Sequence, residues 1–159
     1  MTHAKSFSTI IADNQPLVAA GLESLLIEKQ GFEVIRKINK GAELMQSVET
    51  LQPRLLIADY NLPGFISLDD IKDAMSFSPN TNVLILSSDN NKPSILEALQ
   101  LGIKGYVTKE CSLDEVAMAV QAAAKGRKIL LSQDPGNHNG KAYESRIRFG
   151  GFGAHCAGN

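Results

Sequence analysis

The 159-residue chain has no tryptophan, two cysteines and an aromatic share of only 6%. Cys111 and Cys156 lie far apart, with no CxxC or Cys/His spacing, so neither a disulfide framework nor a zinc site is expected and both read as free thiols. No apolar run approaches the roughly 18 residues that a membrane span requires. The opening residues, Met1 to Ser6, lack the apolar core of a signal peptide, which makes cytoplasmic residence the expectation and a membrane partner unexpected. Excess charge of one sign is also missing, since the net charge is -1. That balance hides an asymmetry, with 11 basic and 15 acidic side chains over residues 1–126 and 5 and 2 over residues 127–159.

What is present is a repeating design. Apolar runs at about residues 7–12, 32–37, 54–59, 82–87 and 104–108 alternate with stretches of helical spacing. Pro16 and a capping Asn14 open a first helix that carries Val18, Leu22, Leu25 and Leu26 at three- and four-residue intervals. Leu44 and Val48 mark a second helix. Ser67 to Asp70 reads as a capping box that opens a third, with Ile71 and Met75 facing inward. A fourth spans about 92–101 with Ile95, Leu96 and Leu99, and a fifth runs from the Ser112 cap through Val116, Ala119, Val120 and Ala123. Strands alternating with helices imply parallel pairing through right-handed crossovers, which gathers the C-terminal strand ends on one edge of the sheet.

Polar groups stand at those ends. Asp13 follows Ile10-Ile11-Ala12, Asp59 follows Leu55-Leu56-Ile57-Ala58, Ser87 ends Val83-Leu84-Ile85-Leu86, and Lys109 follows the short fifth strand. Such an edge suits a metal and phosphate site, which needs carboxylates for a cation, a nucleophilic oxygen and a fixed positive charge. Asp13 is a candidate Mg²⁺ ligand, Asp59 a candidate ligand and nucleophile, and the turn after Asp59 offers a backbone carbonyl, that of Asn61. Taken singly, each residue also has a plainer explanation: Asp59 as a turn former, Asp13 as a helix cap, Lys109 as a solvated lysine, Ser87 as a loop hydroxyl and Tyr106 as a packing aromatic.

Four segments in order, IIADNQPLVAAGLESLL (10–26), LLIADYNLPG (55–64), VLILSSD (83–89) and LGIKGYVTKE (101–110), resemble the receiver domain of bacterial two-component response regulators. The likeness covers about residues 6–128. The Asp-x-x-Pro-Leu-Val opening at Asp13 makes it most similar to the NarL/FixJ type. The resemblance implies an α/β, doubly wound, flavodoxin-like (βα)5 fold with parallel strand order 2-1-3-4-5. It implies phosphorylation of Asp59 by a sensor histidine kinase with Mg²⁺ held by Asp13, Asp59 and the Asn61 carbonyl. Ser87 and Tyr106 then resemble the switch residues and Lys109 the active-site lysine. A phosphoryl group carrying about two negative charges would draw Ser87 and Lys109 inward and let Tyr106 turn toward the core, so the output is altered protein contact in transcriptional regulation rather than metabolic turnover.

Two positions depart from the pattern. Asn14 stands where the family usually has a second acidic residue, so weakened Mg²⁺ binding is expected, with Asn14 itself a further possible ligand. Glu110 replaces the proline common after the lysine, which removes the usual inexpensive route to a cis bond there. The missing carboxylate keeps open a pseudo-receiver, an interaction module that needs no phosphate, and a stand-alone receiver. A haloacid dehalogenase-type phosphatase is the enzymatic alternative, but its second aspartate would fall on Asn61, an amide that cannot serve as general acid.

The domain expectation is a receiver over residues 1–128 and a Gly-rich basic tail over 129–159, extended or disordered, a truncated or unnatural end being one account of it. Six glycines fall among the last 33 residues. Lys141, Arg146 and Arg148 are scattered and no recognition helix accompanies them, so DNA binding by this chain is not expected. Self-association is an expectation through helices 1 and 5 or through the helix 4 to helix 5 face.

Overall fold

The computed structural model describes residues 6–133, 142–143 and 154–155. Two compact units are distinguished, one ending at Thr81 and the next beginning at Asn82.

The first unit contains β1 (Phe7–Ala12), α1 (Pro16–Glu28), β2 (Phe32–Ile38), a 3-10 turn (Gly41–Glu43), α2 (Leu44–Leu51), β3 (Leu55–Ala58) and α3 (Leu68–Phe77). Its strands run parallel in the order β2-β1-β3. β1 has a neighbour on both sides, and Ile10, Ile11, Leu55, Leu56 and Ile57 are almost wholly buried. This is why these strands read as continuous apolar runs rather than alternating ones. Burying each such side chain stabilises the fold by roughly 1.5–3 kcal/mol. β2 lies at the edge, with Glu33, Arg36 and Lys37 exposed. Its first residue stacks on Phe7 at 5.4 Å between ring centroids, with the Arg54 guanidinium 4.9 Å above the Phe7 ring.

Two residues before Arg54, Gln52 takes a left-handed conformation, φ 45°, that stops α2. Its side-chain amide donates to the carbonyls of Glu49 and Phe77, both at 2.9 Å, and its Oε1 accepts from the Ser78 hydroxyl at 3.1 Å. The C-terminal ends of α2 and α3 are thereby tied through one side chain.

The second unit contains β4 (Asn82–Ser87), α4 (Lys92–Leu99), β5 (Gly105–Thr108), α5 (Leu113–Ala124), β6 (Ile129–Gln133), β7 (Ala142–Tyr143) and β8 (Ala154–His155). β4, β5 and β6 are parallel neighbours in that order, β7 pairs antiparallel with β6, and β8 pairs parallel with it. The two strand orders are those of the expected 2-1-3-4-5 series, extended by β6. Val116, Ala119, Val120 and Ala123 of α5 are buried as their spacing predicts.

Three local expectations change. β6 lies where the tail was expected to begin: Ile129, Leu130 and Leu131 are fully buried. A three-residue apolar run is too short to show a period, so only its neighbour β5 reveals it. Apart from β6, β7 and β8, the tail falls outside the described residues, Lys141, Arg146 and Arg148 among them. Cys111 is disulfide-bonded rather than a free thiol. Its Sγ lies 3.9 Å from the Leu131 carbonyl of β6, an environment that sequence spacing did not anticipate. The cap of α1 is Gln15, without a side-chain hydrogen bond, not Asn14. Both other predicted caps hold, since Ser67 with Asp70 and Ser112 with Glu115 form complete capping boxes. No peptide bond among the described residues is cis, that after Lys109 included.

Candidate functional site

In the first unit β1 and β3 end in register, Ala12 opposite Ala58. The next residues are Asp13 and Asp59, and the pairing continues one step further because Asp59 N–H donates to the Ala12 carbonyl at 3.2 Å. Parallel register therefore puts two carboxylates at adjacent strand ends. Both are buried, Asp13 at 5% and Asp59 at 0% exposure.

Each carboxylate also shapes the chain that follows it. Asp13 Oδ1 accepts from Gln15 N–H and Asp59 Oδ1 from Asn61 N–H, both at 2.8 Å. These two turns of the same kind reverse the chain where an apolar strand stops, the role for which aspartate is suited. The plainer reading of Asp59 as a turn former therefore holds, whereas Asp13 forms a turn of the same kind instead of capping α1. Beyond Asn61, Phe65 N–H bonds to the Leu62 carbonyl at 3.2 Å, and Gly64 supplies the positive φ, 67°, of that turn. The exposed Asn61 sits within this loop, and Asn14 is half-buried beside Asp13.

Two buried carboxylates fit Mg²⁺, which commonly binds one or two carboxylates and keeps several waters. No group of three or more His, Cys, Asp or Glu side chains suited to a metal occurs among the described residues.

In the second unit the same construction recurs with different chemistry. Ser87 of β4 stands opposite Thr108 of β5, and Lys109 N–H donates to the Ser87 carbonyl at 2.8 Å. Ser87 is fully buried and Lys109 half-buried. Ser87 Oγ accepts from Asp89 N–H at 3.1 Å, while the Tyr106 hydroxyl donates to the Asp89 carbonyl at 2.6 Å. Asp89 Oδ1 in turn accepts from Asn91 N–H at 3.0 Å, at the start of α4. Sequence reasoning missed Asp89, because its bonds to Ser87 and Tyr106 run through its backbone and leave no side-chain pattern to read.

Tyr106 is wholly buried, at 0% exposure. The expectation that its ring turns inward on modification therefore meets a ring that is already inside, where its hydroxyl finds the Asp89 carbonyl. Among the expected site residues, then, Asp13, Asn14, Asp59 and Asn61 gather in the first unit, and Ser87, Tyr106 and Lys109 in the second.

Residues 9–121 match the response regulator receiver domain. The chain belongs to that family. It is 31% identical over 121 residues to the transcriptional regulatory protein LnrK of Bacillus subtilis, an alignment covering 76% of this chain and 55% of LnrK. This receiver chain thus spans a little over half the length of such curated relatives. Among solved structures it resembles the signal receiver domain of the putative response regulator NarL from Mycobacterium tuberculosis, with TM-score 0.71 and 25% identity, covering 77% of this chain and 99% of that one. It likewise resembles the isolated receiver domain of RcsB from Salmonella enterica serovar Typhimurium, solved with the phosphomimetic BeF3-, with TM-score 0.71, 28% identity and coverage of 79% and 94%. The parallel α/β architecture expected from sequence is the receiver fold.

Proposed function

We propose that this receiver accepts a phosphoryl group on Asp59 from a sensor histidine kinase and converts it into altered protein contacts, in the service of transcriptional regulation. The observation that carries the reading is the in-register ending of β1 and β3, which sets the buried carboxylates of Asp13 and Asp59 side by side. Family membership supports it.

Asp59 supplies the attacking oxygen. Its Oδ1 bond to Asn61 N–H fixes the carboxylate against the turn, so little reorientation is needed before attack. Asp13, Asp59 and the Asn61 carbonyl would hold Mg²⁺, with Asn14 as a weaker neighbour. The ion, when bound, supplies charge neutralisation for the donor phosphoryl group. Lys109 provides positive charge for phosphoryl oxygens, and Ser87 can donate its hydroxyl proton while Oγ still accepts from Asp89 N–H. The acyl phosphate later hydrolyses, so the chain is a switch that modifies itself slowly rather than an enzyme that turns over a substrate.

Since Tyr106 already lies inside, the signal is better described as a change in how firmly the Ser87–Asp89–Tyr106 connection is held than as an entry of the ring. A modification shifts such an equilibrium only by its differential free energy between the two states. The connection reaches α4 through Asn91, which makes the α4–β5–α5 surface of the second unit the place where a partner would sense it.

The test is intact-mass measurement after incubation with Mg²⁺ and a small phosphodonor, comparing the native chain with Asp59→Asn. The native chain should gain one phosphoryl group and the variant none. An unmodified native chain would instead favour the pseudo-receiver, a reading supported by the amide at Asn14 and by a carboxylate set of two.

A further inference from the structure

The segment joining β2 to α2 reaches the loop that follows Asp59. Gly41 opens the 3-10 turn there, and a Cβ built on it would overlap the carbonyl oxygen of Phe65, standing 2.8 Å from that carbonyl's carbon and 3.2 Å from Ile66 Cγ2. Gly41 does not adopt positive φ, so the demand for glycine here is one of space. Gly31 and Gly64 show the opposite case, with positive φ and nothing within 4 Å of an added Cβ.

The loop seated on Gly41 has little slack. It starts at Asp59, whose Oδ1 holds Asn61 N–H, and turns between Leu62 and Phe65. It returns through the buried Ile66 and ends on Ser67, which is fixed to α3 by the reciprocal bonds Asp70 N–H to Ser67 Oγ at 3.1 Å and Ser67 N–H to Asp70 Oδ2 at 2.9 Å. A side chain at position 41 would push Phe65 back by roughly 1.5 Å or more before ordinary van der Waals separations returned. The capping box resists that displacement at Ser67, so it passes toward Leu62, Asn61 and the Asp59 carboxylate.

We propose that Gly41 is a positioning residue for phosphoryl acceptance: its bare backbone is the seat that sets where the return leg of the Asp59 loop lies, and through the loop where the Asp59 carboxylate points. This inference rests on the acceptor reading of Asp59 and goes beyond it, because no part of Gly41 touches the reacting atoms. Mispositioning of about 1 Å costs up to about 100-fold in reactions that depend on alignment, which sets the scale expected.

The experiment compares the native full chain with Gly41→Ala, Ile66→Ala, Asp59→Asn and Gly21→Ala, the last being a helical glycine with nothing within 4 Å of an added Cβ. Uptake from a saturating small phosphodonor at saturating Mg²⁺ is followed by intact mass and expressed per folded molecule, with a thermal melt recorded for each variant. Gly41→Ala is expected to slow uptake by about 10- to 100-fold in the folded fraction, and Gly21→Ala to leave it unchanged. A merely structural role would lower the melting temperature and leave the rate per folded molecule as it was, overturning the inference. Should Gly41→Ala not fold, Ile66→Ala decides, because it loosens the same seat from the loop side; slower uptake supports the proposal and a native rate overturns it. A native chain that takes no phosphoryl group overturns the acceptor reading and this inference together, whereas a modified native chain with an equally fast Gly41→Ala overturns this inference alone.

Discussion

The two units solve one construction problem with opposite chemistry. In each, a parallel strand pair ends in register and the backbone adds one more bond: Asp59 N–H to Ala12 in the first, Lys109 N–H to Ser87 in the second. The first unit places two acidic groups at that point, the second a hydroxyl and an ammonium. The acidic pair is held by turns local to each aspartate, two residues on. The hydroxyl is instead part of a connection that crosses from β4 through Asp89 to Tyr106 on β5. We read the difference as a division of labour, with the first unit built to hold charge in place and the second to pass on its arrival.

The comparison breaks most readily at the metal. Asp13→Asn keeps an oxygen for Gln15 N–H while removing a buried charge, so it should weaken Mg²⁺ binding by at least about tenfold, or 1.4 kcal/mol. Ser87→Ala should leave that affinity unaltered. Titration calorimetry of both variants checks this, and a matching loss in Ser87→Ala would end the claim that metal affinity belongs to the first unit.

Asn14→Asp sharpens the same contrast in the other direction. Adding the carboxylate that the pattern lacks should tighten Mg²⁺ by about tenfold, since an attraction of a few kcal/mol at an effective dielectric near 20 is partly offset by desolvation. Affinity that stays level in the variant would mean that side chain 14 does not face the ion.

How much of this could be read from the chain alone follows from the reach of each signal. β1, β3 and β4 were visible because parallel strands buried on both faces are continuous apolar runs, while the edge strand β2, with Glu33, Arg36 and Lys37 exposed, gives a weaker signal. The capping box at Ser67 was visible because its partners sit three residues apart, and Ser112 was visible as a cap whose box with Glu115 the folded chain adds. Asp13 and Asp59 stood out as polar residues ending apolar runs, and their gathering in one unit follows from strand register. The cap of α1 was misplaced by one residue because Asn14 is a favoured capping type and Gln15 is not, and Gln15 occupies the position without any side-chain bond that a sequence could signal. β6, the disulfide at Cys111, the Gly41–Phe65 approach and the Asp89 connection all depend on contacts between distant segments. A glycine after a strand reads as an ordinary turn residue until the carbonyl it makes room for is seen.

Within the second unit, Tyr106→Phe tests whether the connection through Asp89 is separable from the chemistry. The ring stays buried and the 2.6 Å bond to the Asp89 carbonyl is lost, so stability should fall by about 1.5 kcal/mol, near the upper end for a neutral hydrogen bond. Urea unfolding gives that value, and phosphoryl uptake measured on the same preparation should match the native chain. A strongly slowed uptake would place Tyr106 with the reacting groups and dissolve the division of labour.

The smallest expected effect separates the two capping boxes. Ser67 and Asp70 are both exposed, so water can replace the bonds lost in Ser67→Ala and the cost should be about 0.5 kcal/mol. Glu115 is buried at 9% exposure, and its Oε1 accepts from both Ser112 N–H, at 3.1 Å, and Ser112 Oγ, at 2.9 Å. Ser112→Ala strips one of those donors from a buried carboxylate, a group that is costly to leave under-satisfied. Its penalty should therefore be larger, about 1.5 kcal/mol. Parallel urea titrations of the two variants decide the point: equal penalties would mean that water reaches Glu115 as freely as Asp70, and that the start of α5 is no more firmly set than the start of α3.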